Sequence, residues 1–174
     1  MASSTPSAPE SAPSALPRQE ILDTIAAQIA ALDELVGLAR HSIRVFDIDL
    51  SEMGWNGVAR AEKLGAFLRG SRNARLDIIV HDTRYIEGSC ARLRNLQSLF
   101  GQAITICRTG PEAKGAMDPL VIVDGRHFLH RFHIEQPRAV VGIEQLQAAK
   151  PLVHKFEEIW ATGEVGVTAN VLGL

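Results

Sequence analysis

The chain has 174 residues, of which 46% are hydrophobic and 22% charged, a composition typical of globular proteins. Its formal net charge of -2 excludes a strong overall positive field, so binding to nucleic acid would require a local basic patch. The two cysteines, Cys90 and Cys107, lie on different predicted elements and indicate neither a disulfide framework nor a metal pair. We therefore expect a cytoplasmic protein that holds no metal and no other cofactor.

The first residues differ in composition from the rest of the chain. Residues 1–17 are rich in serine, proline and alanine and lack the apolar core of a signal peptide, which predicts a disordered tail. No apolar run approaches the roughly 18 residues that a membrane-spanning helix needs. Residues 18–174 are long enough to bury one hydrophobic core, so we expect them to form a single domain.

Helices and strands alternate along residues 18–174. Apolar residues at helical spacing predict a first helix from Arg18 to about Arg40. The elements predicted after it are a central strand at 42–48, a helix at 57–68, strands at 76–80 and 103–107 around a helix that begins near Ser89 and ends at Gly101, strands at 120–123 and 138–143, and a helix at 144–160 that Pro151 breaks or kinks. The strand–helix–strand unit predicts parallel pairing of 76–80 with 103–107. We therefore predict the α/β class, with a mixed, largely parallel sheet and helices on both faces.

The segment from Ala116 to His133, AMDPLVIVDGRHFLHRFH, is a predicted β-hairpin with an Asp-Gly turn at Asp124. Its PLVIVDGR strand and turn, with the later RAVVGI strand and the helix that ends in FEEIW, resemble one half of a phospholipase D-like domain. By element order the resemblance covers residues 18–160. The family's signature is H-x-K-x(4)-D followed by G-S-x-N. Counted from Asp124, the histidine and lysine positions fall on Met117 and Pro119.

This resemblance implies a fold and argues against an activity. In the family, as the resemblance implies, one histidine attacks phosphorus, its counterpart protonates the leaving group, and lysines hold the phosphate oxygens. Met117 and Pro119 supply no nucleophile, no proton donor and no charge. The glycine, serine and asparagine of the second motif are also replaced, by Arg131, Phe132 and Ile134. We therefore predict a catalytically inactive half-domain, in which Asp124 acts as a turn former.

Polar side chains nevertheless occur where ligands bind in open α/β sheets, beyond the carboxyl ends of the strands. Arg84 follows the strand at 76–80, and Arg108 and Thr109 follow the strand at 103–107. Arg131 and His133 share one face of the hairpin's return strand. Because guanidinium groups bind phosphate oxygens in bidentate fashion, these five residues predict a small anion or phosphate pocket. Alternatively, the arginines pair with nearby carboxylates such as Asp82, Glu87, Asp118 or Glu135 and only replace the lost catalytic charges.

Other polar groups have an ordinary structural interpretation. His130, alone on an apolar face, predicts a core histidine with one hydrogen bond. A metal site from His127, His130 and His133 is disfavoured, because the middle side chain of an extended strand points away from the other two. Asp47 and Asp49 are a candidate carboxylate pair, for which loop capping is the alternative.

Three functional hypotheses follow. The leading one is an inactive phospholipase D-like binding or assembly module that binds an anion or phosphate group at the vestigial site. The second is a residual phosphodiesterase or phosphotransferase in which His133 or His127 replaces the missing nucleophile. The third is a nucleic-acid binding module that keeps backbone phosphate contacts. Because the family's active sites form where two halves meet, the resemblance also implies a homodimer or pairing with another half-domain.

Overall fold

The computed structural model of the chain describes residues 15–169. Most of the predicted tail, residues 1–14, lies outside the described residues, as do residues 170–174. The strands are β1 (Arg18–Leu22), β2 (Ser42–Asp47), β3 (Arg75–Val80), β4 (Ile104–Arg108), β5 (Leu120–Val123), β6 (His127–Arg131), β7 (Ala139–Ile143) and β8 (Glu164–Val167). The helices are α1 (Ile25–Leu38), α2 (Val58–Gly70), α3 (Arg84–Ser89), α4 (Ala91–Leu99) and α5 (Leu146–Ala161), and a 3-10 helix spans Pro111–Ala113. Within this range, every helix is too short or too polar to span a bilayer.

The eight strands form one mixed sheet in the order β1-β7-β6-β5-β2-β3-β4-β8. Strand β2 pairs in parallel with β3, and β3 in parallel with β4, whereas the other neighbouring strands pair antiparallel. The α/β class, the mixed sheet and the predicted parallel pairing of β3 with β4 are confirmed. The prediction of a largely parallel sheet is wrong, because β5, β6 and β7 follow one another through short turns, which join only antiparallel strands.

Helices cover both faces of the sheet, as predicted. On one face the strand residues Val45 and Ile78 pack in the main core beneath α1, α2 and α4. On the other face Phe46 and Ile79 pack against Phe156 of α5. Successive residues along β2, and likewise along β3, therefore point into opposite cores. Both faces of these two strands are apolar for this reason.

The helix predicted from Arg18 begins later in the structure. Residues Arg18–Leu22 form an edge strand on β7, and α1 starts at Ile25, after Thr24 caps it by accepting a hydrogen bond from the backbone N–H of Ala27 at 3.1 Å. The four-residue strand β8 and the short helix α3 were not predicted. Only part of the short β8 sequence is apolar, so its pattern alone does not indicate a strand. The strand forms by pairing with β4.

Helix α5 runs without a break from Leu146 to Ala161, so of the two outcomes predicted at Pro151, a break or a kink, the break is wrong. The proline removes one backbone donor and the hydrogen bond that it would make. The buried side chains of Ala149, Phe156 and Ile159 hold the helix against the sheet on either side of Pro151. Packing of this apolar face outweighs the local cost of the proline.

The hairpin has the predicted Asp-Gly turn between β5 and β6. Asp124 and Gly125 both have positive φ, 53° and 67°, as the tight hairpin turn requires. The Asp124 carboxylate also reaches back to the start of β2. It accepts hydrogen bonds from the backbone N–H groups of Arg40 at 2.9 Å, His41 at 2.7 Å and Ser42 at 2.9 Å. One side chain thus joins the hairpin to the loop between α1 and β2.

We predict that Asp124→Ala lowers the free energy of unfolding by about 2 kcal/mol, because three backbone donors lose an ionised acceptor. Urea unfolding measures this loss. Asp124→Asn is the matched variant, since asparagine tolerates positive φ and keeps one acceptor oxygen. We expect it to lose less stability than the alanine variant, and equal losses would contradict a role for the carboxylate.

Candidate functional site

A cleft of about 480 Å³ opens beyond the carboxyl ends of β3 and β4, and we call it the strand-end cleft. Its lining residues are His81, Asp82, Thr83, Arg84, Arg108, Thr109, Pro111, Lys114 and Glu164. Three of the five residues predicted for the anion pocket, Arg84, Arg108 and Thr109, therefore share one cavity. The parallel strands carry them to the same edge of the sheet.

The arginines of the strand-end cleft pair with carboxylates. The Arg84 guanidinium contacts Asp82 at 2.5 Å, and its hydrogen bonds hold the pKa of the Asp82 carboxyl well down, at about 2. Arg108 contacts Glu164 of β8 at 3.2 Å. The Arg84 side chain is 88% exposed, and both members of the Arg108 pair are 51% exposed. Ion pairs this exposed contribute little stability.

Two residues of this cleft, His81 and Lys114, were not among the predicted ligand-binding residues. The His81 ring lies 2.6 Å from the Thr109 hydroxyl through Nδ1 and 2.6 Å from the Ala116 carbonyl through Nε2. Lys114 donates from Nζ to the His81 carbonyl at 3.1 Å. His81 directly follows a predicted strand, which was a usable signal. Lys114 reaches the cleft from the loop after the 3-10 helix, a position that only the fold supplies.

Arg131 and His133 do not line the strand-end cleft, so the prediction of one pocket containing all five residues is wrong. Arg131 is buried, and its guanidinium donates to Glu52 at 2.5 Å, to the Gln136 carbonyl at 2.8 Å and to the Ile134 carbonyl. Strands β5 and β2 lie between β6 and β3 in the sheet. At about 4.8 Å per strand, this separation keeps the end of β6 away from Arg84 and Arg108. The half-buried His133 accepts a hydrogen bond from the Glu135 N–H at 3.2 Å.

Met117 and Pro119, on which the histidine and lysine positions of the resemblance fall, lie close to Arg131. The Pro119 carbonyl accepts from the Arg131 N–H at 2.9 Å, and the Met117 carbonyl accepts from the Ile134 N–H at 2.7 Å, which extends the β5–β6 pairing backwards. Pro119 and Arg131 line a cavity of about 20 Å³, which we call the small cavity. Its other lining residues are Gln28, Leu32, Phe46, Asp47, Met53, Trp55, Leu120, Val121 and Leu129. This volume accommodates about one water molecule and is too small for a phosphodiester.

Asp47 and Asp49 do not form a carboxylate pair that faces solvent. Asp49 accepts hydrogen bonds from the Ser51 N–H at 2.9 Å and the Ser51 hydroxyl at 2.7 Å, which is the loop-capping alternative. Asp47 is only 5% exposed and lines the small cavity. Burial raises the pKa of its carboxyl to about 7 by disfavouring the charged form.

This raised pKa predicts how stability depends on pH. Folding keeps a proton on Asp47 that the unfolded chain releases above about pH 4, so its contribution declines between about pH 4 and pH 7. We expect wild type to lose stability relative to Asp47→Asn by about 1.4 kcal/mol per pH unit in that range. Urea unfolding of both proteins at matched pH measures the difference. A difference that is the same at every pH would show that Asp47 is already ionised.

The remaining histidines are engaged in structural contacts. His127 is buried, accepts from the Glu144 N–H at 2.9 Å, and has a pKa lowered by burial. His130 donates to Asp118 at 2.8 Å on the α5 face, where Lys155 contacts the same carboxylate oxygen. This agrees with the predicted single hydrogen bond of His130. Among residues 15–169, no group of three or more histidine, cysteine or acidic side chains is arranged to hold a metal ion.

Comparison with known protein families gives one match over most of the chain. Residues 24–169 match the family described as Domain of unknown function (DUF7931), and the chain belongs to that family. No curated protein is significantly similar to the sequence.

Solved structures give the fold a wider context. Nuc from Salmonella typhimurium, a phospholipase D family member, has a TM-score of 0.58 at 14% identity over 86% of this chain and 97% of its own. NucT from Helicobacter pylori has a TM-score of 0.54 at 13% identity over 87% and 100%. TrmBL2, an archaeal chromatin protein described as showing a novel mode of DNA binding, has a TM-score of 0.62 at 13% identity. That match covers 84% of this chain but about half, 53%, of TrmBL2. At these identities the comparisons show the fold alone, and it is phospholipase D-like.

Proposed function

We propose that this member of the DUF7931 family is a catalytically inactive module with a phospholipase D-like fold, which binds a phosphate-bearing ligand in the strand-end cleft. The cleft itself carries the proposal. Arg84, Arg108 and Lys114 provide three cations in a cavity open to solvent, against the two carboxylates of Asp82 and Glu164. One positive charge is therefore in excess at a position where open α/β sheets bind ligands.

Two observations support the absence of catalysis. Met117 and Pro119 occupy the positions at which the resemblance implies a nucleophile and a phosphate clamp, and neither side chain can act as one. The small cavity beside Pro119 has space for about one water molecule. A phosphodiester would therefore find neither room nor reactive groups there.

The geometry of the cleft suits a tetrahedral oxyanion. Arg84 and Arg108 are exposed enough to turn from their carboxylates and donate two hydrogen bonds each to phosphate oxygens. Lys114 adds a compact charge close to the ends of both strands. A nucleic-acid backbone and a small phosphate ester present the same chemistry. The DNA binding described for TrmBL2 favours the first source, and the net charge of -2 limits it to few phosphate contacts.

We predict that Lys114→Ala and Arg108→Ala each weaken binding of a labelled single-stranded oligonucleotide about tenfold, because each removes one charge-assisted contact. Fluorescence anisotropy measures the affinity. In each variant the slope of log affinity against log salt concentration should decrease by the amount expected for about one phosphate contact. Competition by inorganic phosphate tests the small-ligand source. Arg131→Ala should leave affinity unchanged and lower stability, because Arg131 is buried outside the cleft.

Matched control variants distinguish an effect of the strand-end cleft from a general effect of removing one positive charge. Lys63 donates to a backbone carbonyl at 2.9 Å, much as Lys114 does, and Arg18 pairs with Glu34 on the surface as Arg108 pairs with Glu164. Lys63→Ala and Arg18→Ala should bind like wild type. If they weaken binding as much as the cleft variants, the assignment of the cleft is wrong. If neither the oligonucleotide nor phosphate binds, the proposed function is wrong.

We also predict no hydrolysis of bis(p-nitrophenyl) phosphate above the uncatalysed rate. Release of nitrophenolate is followed by absorbance, with a freshly refolded sample as a control for contaminating enzyme. The structure leaves His127 buried, and His133 accepts a backbone hydrogen bond in the turn after β6. Hydrolysis that is lost in His133→Ala or His127→Ala, with the fold intact, would establish the residual phosphodiesterase instead.

The proposal also includes the protein partner and the cellular location. We propose a homodimer, or pairing with another half-domain, on the resemblance to a family whose active sites form between two halves. The composition and the two dispersed cysteines favour the cytoplasm.

A further inference from the structure

The hydrogen bonds of His81 determine which ring nitrogen carries the proton. The Ala116 carbonyl can only accept, so Nε2, 2.6 Å away, must carry a hydrogen. In the neutral ring Nδ1 is then an acceptor, and the Thr109 hydroxyl at 2.6 Å must donate to it. In this state His81 is uncharged, and the Thr109 hydroxyl has no hydrogen to offer a ligand.

Proton uptake on His81 would reverse this arrangement. A proton from solvent on Nδ1 makes that nitrogen a donor to Thr109, and the hydroxyl hydrogen must turn away from the ring. The ring gains one positive charge, and no covalent bond other than the new N–H forms or breaks. Thr109 is only 1% exposed but lines the strand-end cleft, so few water molecules compete for its released hydroxyl hydrogen. An oxyanion bound against this wall of the cleft would accept that hydrogen.

The surroundings of His81 make this coupling specific to anions. The ring edge packs against Phe46 of β2 with centroids 5.3 Å apart, which keeps that side apolar. The charged groups that face the cleft are Asp82 and Arg84 after β3, Arg108 of β4, Lys114 after the 3-10 helix and Glu164 of β8. Within the described residues neither Asp82 nor Glu164 forms an ion pair with the His81 ring, so a bound oxyanion would be the negative partner of protonated His81.

We propose that His81 and Thr109 form a proton-coupled recognition pair, which takes up one proton when a doubly charged tetrahedral oxyanion binds in the strand-end cleft. This inference rests on the proposed function and adds the determinant of its charge specificity. Binding and protonation are reciprocal, so the anion binds more tightly at low pH, and it also raises the fraction of protonated His81. Histidine as a residue type ordinarily changes charge between about pH 5 and pH 8, so the test compares affinities across that range.

Sulfate is the probe, because it keeps its double charge throughout this range and only the protein titrates. We expect wild type to bind sulfate about tenfold more tightly at about pH 5.5 than at about pH 8, as measured by NMR titration. His81→Gln keeps a donor for the Ala116 carbonyl but cannot take up a proton, and its sulfate affinity should be independent of pH. Thr109→Val should also lose most of the effect, and Thr109→Ser should keep it because it retains the hydroxyl.

His154→Gln is the matched control, since His154 is an exposed histidine of α5 that pairs with Glu158 at 3.1 Å. It should keep the pH dependence. Nitrogen-15 chemical shifts of the His81 imidazole give an independent readout. We expect them to show the Nε2–H tautomer in the free protein at high pH and protons on both ring nitrogens when sulfate is bound at low pH. Equal affinity at both pH values, or a pH effect that survives in His81→Gln, would overturn the recognition pair and leave the proposed function standing. Failure to bind sulfate at any pH, together with failure to bind the oligonucleotide, would overturn the proposed function itself.

Discussion

The arrangement of this protein depends on β2, which pairs with β3 in parallel on one side and with β5 antiparallel on the other. The parallel side brings the ends of β3 and β4 together and creates the strand-end cleft. The antiparallel side carries the β5–β6 hairpin. The Asp124 carboxylate secures this junction, because it binds the backbone N–H groups that lead into β2. A single strand therefore separates the strand-end cleft, in which we propose that a ligand binds, from the hairpin.

Beside Pro119, the buried Arg131 is the charged group that the sheet has to accommodate. A buried guanidinium is costly unless its hydrogen bonds are made, and here a carboxylate and two carbonyls accept from it. Pro119 has neither charge nor N–H to compete with it. The chain around Arg131 and Pro119 is therefore closely packed, with a cavity of only about 20 Å³.

Much of the fold could be predicted from the sequence, because local patterns suffice for it. The Asp-Gly turn, the apolar runs of β2 to β5 and the crossover between β3 and β4 all have short-range signals. Edge strands do not: Arg18–Leu22 has the spacing of a helix, and only its pairing with β7 makes it a strand. The residues of the candidate site were predicted only in part, because some depend on local sequence and others on long-range pairing. Arg84, Arg108 and Thr109 follow strands that a crossover unit places side by side, whereas Arg131 required the full strand order, and its partner Glu52 lies 79 positions away in sequence.

The two sites, although separate, are connected by a short path of hydrogen bonds. His81 in the strand-end cleft donates to the carbonyl of Ala116, and the next residue, Met117, accepts from the N–H of Ile134. The Ile134 carbonyl in turn accepts from Arg131. The segment at 116–117 thus holds the cleft histidine in one tautomer at one end and the buried arginine at the other. A change of side chain at Met117 would preserve this path, since only main-chain groups of residues 116, 117 and 134 take part.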